Sequence, residues 1–305
     1  MNEQKTIFIT GSNGFIGKNI REYFHNKAIL LAPRRSQLDL LSQEDVNKFF
    51  KEHEIDYVIH CANIGGNRKS IESKDNIEKN IRMFFNLAEN SRYFDKMIHL
   101  GSGAEYDKSR PLKKISETSF GERIPLDNYG FSKYTISKFI EKSENIICLR
   151  LFGVFGKYED YEYKFISNAI VKNIFQIPIR IRQNAYFDWV YINDLMEIIP
   201  NFLNHNSVYK VYNVAPSIRT DLYTISQTVN FCSSIPSDII IDATGLNNEY
   251  TGNNSRLMDH LRHFQFTPMS TAISELTSYY NAFSNTLNPD IIKKDEYIQK
   301  CKINQ

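Results

Sequence analysis

Cysteine is scarce: Cys61, Cys148, Cys232 and Cys301 are scattered through 305 residues and form neither CxxC pairs nor Cys/His clusters with metal-ligand spacing. No disulfide framework and no metal are therefore expected, and the thiols are read as the reduced ones of a cytoplasmic protein. Nowhere do about 18 apolar residues run together, which excludes a conventional membrane-spanning helix. No basic stretch followed by an apolar segment precedes the first strand candidate at Lys5, so no cleaved signal peptide is expected. Excess charge of one sign is missing too. Lys and Arg number 37 against 35 Asp and Glu, and the formal +2 is too small to suggest a nucleic-acid or membrane-surface partner. With 42% apolar and 24% charged residues and few Gly or Pro, the chain is neither fibrous nor disordered.

What is present is a rhythm. From Lys5 to about Gly156, short β-branched apolar runs (Thr6–Thr10, Ala28–Ala32, Tyr57–His60, Lys96–Leu100, Ile146–Leu151) alternate with helical patterns near Phe15–Asn26, Ser42–His53, Asp75–Asn90 and Tyr129–Glu144. This is the signature of right-handed βαβ units and a parallel sheet. The fold class expected is α/β, a doubly wound Rossmann sheet over residues 1–156. A smaller mixed α/β lobe is expected over 157–290, with segments that can return to the first domain. One further helix is read over Thr267–Phe283, and 291–305 is left as a polar tail.

The first strand runs into Gly11-Ser12-Asn13-Gly14-Phe15-Ile16-Gly17, a Gly-x-x-Gly-x-x-Gly loop that opens a helix. Glycine allows the tight turn and close backbone approach to a pyrophosphate, and the helix N-terminus favours an anion. Strand before and helix after supply the context that a bare glycine motif lacks. The second strand ends in Arg34-Arg35, where an NAD-specific fold would carry an acid for the ribose hydroxyls. Two guanidiniums suit a 2′-phosphate, so the expected cofactor is NADP.

Tyr129 and Lys133 stand four apart, on one face of a helix. The ammonium is expected to lower the phenol's pKa and prepare it for proton transfer. Tyr23/Lys27 and Tyr134/Lys138 repeat the spacing. Tyr23 lies at the far end of the first helix, however, and Tyr134 is about 140° around the helix from Tyr129. Only Tyr129 begins a helix that follows the strand whose carboxyl end carries Ser102, and ligands of open α/β sheets bind at that edge.

The segments GSNGFIG, HLGSGAEY, YGFSK and RLFGVFG resemble the extended short-chain dehydrogenase/reductase family of NAD(P)-dependent sugar epimerases, dehydratases and reductases. RRSQLDLLSQEDVNKFFKEHEIDYVIHCANIGG is most similar to the GDP-fucose synthase branch. The resemblance implies a catalytic triad of Ser102, Tyr129 and Lys133, with Lys133 also bonding the nicotinamide ribose. It implies cofactor contacts from Asp39, Leu40, Cys61 and Ala62, a nucleotide-diphosphate sugar as partner, and a homodimer is expected.

Dehydratases of the family place an Asp-Glu pair after the triad hydroxyl; this chain has Gly103 and Ala104, which cannot titrate. Ala104 also replaces the cysteine that the double epimerase of the branch uses, and Lys164 falls at its histidine. Reduction of a 4-keto (6-deoxy) sugar to its 4-hydroxy form is the expected activity. A C4 epimerase and a non-catalytic NADP-binding regulator remain the alternatives. Lys164, Lys172, Arg182 and Arg256 are the expected substrate-binding cations, Arg182 because Phe187 stands where the family often has an arginine.

Overall fold

A computed structural model describes residues 4–66 and 73–304. Six strands form one all-parallel sheet: β1 (Thr6–Thr10), β2 (Ile29–Leu31), β3 (Tyr57–His60), β4 (Lys96–Ser102), β5 (Ile146–Leu151) and β6 (Val211–Val214). Their spatial order is β2-β1-β3-β4-β5-β6. The chain winds one way from β1 to β2 and the other way from β3 onward, which opens a crevice at the carboxyl ends between β1 and β3.

The alternation along each strand sorts side chains between two layers. Phe8, Val58, Met97, Ile146 and Cys148 point toward α2 (Gln43–Glu52), α3 (Asp75–Ala88) and α4 (Asn128–Ile140). Ile7, Ile9, Ile59, Ile98, Leu100, Ile147 and Leu149 point the other way, toward α1 (Phe15–Phe24) and the later helices. Strands buried on both faces read as continuous apolar runs, which is why the sequence revealed them. The helices bury residues at helical spacing: Ile20 and Phe24 on α1, Val46 and Phe50 on α2, Lys133, Ile136, Ser137 and Ile140 on α4. Ser42 caps α2 by accepting from Asp45 N–H, and Asp127 caps α4 by accepting from Gly130 N–H at 2.9 Å.

Beyond β5 the chain forms α5 (Phe165–Ile174), α6 (Ile192–Asn204), α7 (Leu222–Phe231), α8 (Ser255–Leu261) and α9 (Met269–Ala282), with short strands between them. Two of these segments return to the sheet. β6 pairs with β5, and the amino end of β4 caps the end of α6, where Lys96 Nζ donates to the carbonyls of Phe202, Leu203 and His205.

The tail, left without assigned structure, forms two short helices. Helices α10 (Pro289–Lys294) and α11 (Glu296–Gln299) bury Ile292, Tyr297 and Ile298. Lys172, on α5, is fully buried and donates to Asp295 Oδ2 at 2.7 Å, tying the tail to the core. Its burial removes it from the substrate-binding cations proposed on sequence grounds. A buried pair with one partner removed leaves a costly lone charge. Lys172→Ala should therefore lower unfolding stability by about 3 kcal/mol in a denaturant titration while leaving the KM of a substrate unaltered.

Candidate active site

The glycine loop has two separate physical reasons for its glycines. Gly11 takes φ +65°, and a Cβ there would sit 2.6 Å from Ala62 N; a Cβ at Gly17 would sit 2.3 Å from Gly11 O. These two let β1, the turn and α1 pack against one another. Gly14 differs, because a Cβ there would meet only Gly11 O at 3.3 Å. It looks onto open space, heads α1 as an N-cap without a side-chain cap, and presents the helix N-terminus bare. That is the arrangement a pyrophosphate requires, so these residues fit a dinucleotide. Asn13 is exposed beside it, and Phe15 and Ile16 are partly buried against the core.

The other residues assigned to the cofactor line the same edge. Arg34 and Arg35 follow β2 exposed, and among the described residues neither guanidinium forms an ion pair. Asp39 turns its carboxylate back to accept Leu41 N–H at 3.1 Å, and the Leu40 carbonyl accepts Asn86 Nδ2 at 2.8 Å. Cys61 and Ala62 follow β3; Ala62 N–H donates to Thr10 Oγ1 at 3.2 Å. Burial pushes the Cys61 thiol up to about 12 against the charge of Lys133, so it holds its proton.

Ser102 ends β4 and caps the short turn Gly103–Tyr106, accepting Ala104 N–H at 3.2 Å. Tyr129 and Lys133 project from the first turns of α4 toward it. Burial raises the Tyr129 phenol to about 12, and a bond with Ser102 opposes that shift only in part. This departs from the expected depression by Lys133. Lys133 Nζ lies 6.0 Å from the ring centroid, with one of its three hydrogens on Leu100 O at 2.8 Å, and does not offset the burial. The backbone of Gly66, at φ +75°, presses on the ring: a Cβ there would meet Tyr129 Cε2 at 2.6 Å.

The competing tyrosines are elsewhere. Tyr134 packs on Phe120 with ring centroids 4.9 Å apart, and Lys27 Nζ sits 3.3 Å over Tyr23.

Glu105, next along from Ala104, cannot serve as a site acid or base. Its carboxylate is fully buried and accepts from Ser102 N–H (2.9 Å), Ser137 Oγ (2.6 Å) and Arg150 Nε (2.5 Å). Sequence reasoning missed this residue and also Tyr250, whose hydroxyl lies 3.5 Å from Ser102 Oγ. The one sequence signal was Arg150, an arginine inside an apolar strand, which calls for a buried acid as partner without saying which.

The remaining proposed substrate cations each have neighbours of their own. Lys164 stands at the start of α5 near buried Glu159, whose carboxyl burial raises to about 7 against the charge of Lys164. Arg182 is paired with Asp242 at 3.3 Å, an acid it shares with Arg180. The Arg256 guanidinium stacks 4.2 Å over Tyr209, which precedes the amino end of β6, opposite the ligand edge. Arg256 is thereby excluded from the site. Among the described residues no group of three His, Cys, Asp or Glu is placed to hold a metal ion, and no helix is long and apolar enough to cross a membrane.

A parallel doubly wound sheet, a glycine loop heading α1 and a Ser/Tyr/Lys set across the crevice define a nicotinamide-dependent enzyme of Rossmann type. Residues 7–215 match the NAD dependent epimerase/dehydratase family, and the chain belongs to it. Over 246 residues it is 25% identical to GDP-L-colitose synthase of Yersinia pseudotuberculosis, spanning 72% of this chain and 79% of that protein. Its fold superposes on a GDP-L-fucose synthetase from Naegleria fowleri bound to NADP with a TM-score of 0.79 at 16% identity, covering 94% and 97% of the two chains. UDP-glucose 4-epimerase of Thermotoga maritima, solved with UDP-glucose, gives 0.78 at 16% identity, covering 92% and 99%.

The packing at Gly17 yields a direct test. Gly17→Ala forces a methyl into the Gly11 carbonyl, so the loop must open. Binding of reduced nicotinamide cofactor, followed by its fluorescence, should be lost or weakened at least about tenfold.

Proposed function

We propose that the protein is a cytoplasmic, homodimeric, NADPH-dependent reductase that converts a nucleotide-linked 4-keto (6-deoxy) sugar to the 4-hydroxy sugar. The observation that carries this reading is the Tyr129 phenol held beside the Ser102 hydroxyl, with no free carboxylate in the adjoining turn. Reduction of a ketone consumes a proton, and Tyr129, held up at about 12 by burial, keeps one at neutral pH. The relative named GDP-L-colitose synthase and the NADP-bound GDP-L-fucose synthetase structure support the reductase reading. The likeness to UDP-glucose 4-epimerase favours C4 epimerisation as the second reading.

The reduced nicotinamide, when bound, supplies hydride to the keto carbon. Tyr129 delivers its proton to the carbonyl oxygen, so that C=O becomes CH–OH. Ser102 donates a hydrogen bond to the same oxygen and holds it in place. Lys133, anchored on Leu100 O, would bond the nicotinamide ribose, and solvent returns the proton that Tyr129 gives up. Elimination of water would need a base and an acid beside Ser102, and Gly103 and Ala104 supply neither.

Arg34 and Arg35 supply the preference for NADPH. Replacing both with Ala should weaken NADPH binding by at least about tenfold, the worth of charge-assisted phosphate bonds, and leave NADH binding nearly unchanged. Equal losses for both cofactors would remove the assignment.

Reaction in deuterated water with a 4-keto nucleotide sugar separates reduction from epimerisation. NMR of the product should show no deuterium at C3 or C5 above the enzyme-free background. Deuterium entering those carbons at the enzymatic rate contradicts simple reduction. Interconversion of a non-keto sugar without net NADPH consumption would establish the epimerase reading instead.

A further inference from the structure

Tyr250 belongs to no motif, yet the fold brings it to the catalytic centre. It begins the short strand Tyr250–Gly252, which pairs with Leu112–Ile115 and Tyr186–Phe187. Its ring is boxed by Phe152 and Phe187, with centroids 5.0 and 6.1 Å away. Gly103 is small because of it: a Cβ there would stand 2.7 Å from the Tyr250 hydroxyl oxygen and 2.8 Å from the Phe152 ring. The phenol is fixed on all these sides and its hydroxyl faces Ser102 Oγ at 3.5 Å.

A serine hydroxyl has one hydrogen and two acceptor positions. Ala104 N–H occupies one of the acceptor positions of Ser102 at 3.2 Å. We propose that Tyr250 is a positioning residue whose O–H fills the second, leaving the hydrogen of Ser102 free only toward Tyr129 and the reacting oxygen. This rests on the reading of Ser102 as donor to the substrate carbonyl. The contact is long in the resting enzyme, and catalytic hydrogen bonds of this kind shorten when ligand binds. Burial holds the Tyr250 phenol above its ordinary range, so it keeps the hydrogen it would donate. No proton leaves Tyr250 during turnover; it sets the direction of one that stays on Ser102.

The test compares wild type, Tyr250→Phe, Ser102→Ala and the double variant, using NADPH and the 4-keto nucleotide sugar turned over fastest by wild type. Phenylalanine keeps the ring packing, and an unchanged melting temperature verifies that. Tyr250→Phe should lower kcat by about fivefold to tenfold, the worth of one ordinary hydrogen bond, with KM moving less than about twofold. The double variant should be no slower than Ser102→Ala, because the two residues act through one hydrogen. A wild-type kcat in Tyr250→Phe, or losses that multiply in the double variant, would overturn the proposal.

A second readout needs no turnover. In protein labelled with 13C at the tyrosine Cζ, the Tyr250 resonance, assigned by its disappearance in Tyr250→Phe, should move in Ser102→Ala. A Tyr250 resonance unmoved by Ser102→Ala would overturn the proposal. If wild type turns over none of the 4-keto sugars, the functional reading fails, and the resonance still decides this one.

Discussion

One buried carboxylate holds the catalytic edge together. Glu105 sits without solvent contact between β4, α4 and β5, and each of its three short bonds reaches a different element: Ser102 N–H, Ser137 Oγ and Arg150 Nε. Arg150 passes the link on to the Tyr106 hydroxyl at 2.5 Å, and that hydroxyl donates to Asn213 on β6 at 2.7 Å. An unpaired charge at such a site would cost several kcal/mol, so the elements cannot drift apart without breaking the network. Ser102 and the Tyr129/Lys133 helix are thus clamped in mutual register by a group that touches neither cofactor nor substrate. Ser137 lies one helical turn beyond Lys133 on the same buried face of α4.

The clamp also determines what chemistry is missing. The turn after Ser102 contains a single carboxylate, and the fold needs it in the core. Gly103 is kept small by Tyr250 and Phe152, and Ala104 is buried with its N–H on Ser102. Around Tyr129 stand the hydroxyls of Ser102 and Tyr250 and two ammoniums, Lys133 and Lys108, the latter paired with Asp127 at 3.2 Å. Across the switch point, the glycine loop contributes backbone and dipole, and the exposed arginines after β2 contribute charge. The division matches a family in which the bound nicotinamide carries the redox step and the protein supplies orientation and a proton.

Much of this was legible because parallel strands are buried on both faces. Thr6–Thr10, Tyr57–His60 and Ile146–Leu151 appear in the sequence with the boundaries they have in the fold. The glycine loop and the Ser102/Tyr129/Lys133 spacing are local patterns, and the fold brings them to one edge. β6 escaped notice because Val211–Val214 is short and separated from its neighbours by the lobe. The tail escaped because its apolar residues, Ile292, Tyr297 and Ile298, are few and lie among charges. Lys172 was misassigned because residue type reveals nothing of burial, and its partner Asp295 is 123 positions away. Tyr250 and Glu105 depend on contacts between distant segments, or on which way a side chain turns, and no local pattern encodes either.

The central claim is that a protonated Tyr129, held beside Ser102, completes the reduction of a sugar ketone. The most direct measurement mixes the protein with one equivalent of NADPH and a panel of nucleotide-linked 4-keto-6-deoxy sugars, following nicotinamide absorbance and product together. The account predicts one alcohol formed per NADPH oxidised for at least one sugar, with this turnover nearly abolished in Tyr129→Phe although NADPH still binds. Unimpaired NADPH oxidation in Tyr129→Phe would contradict it.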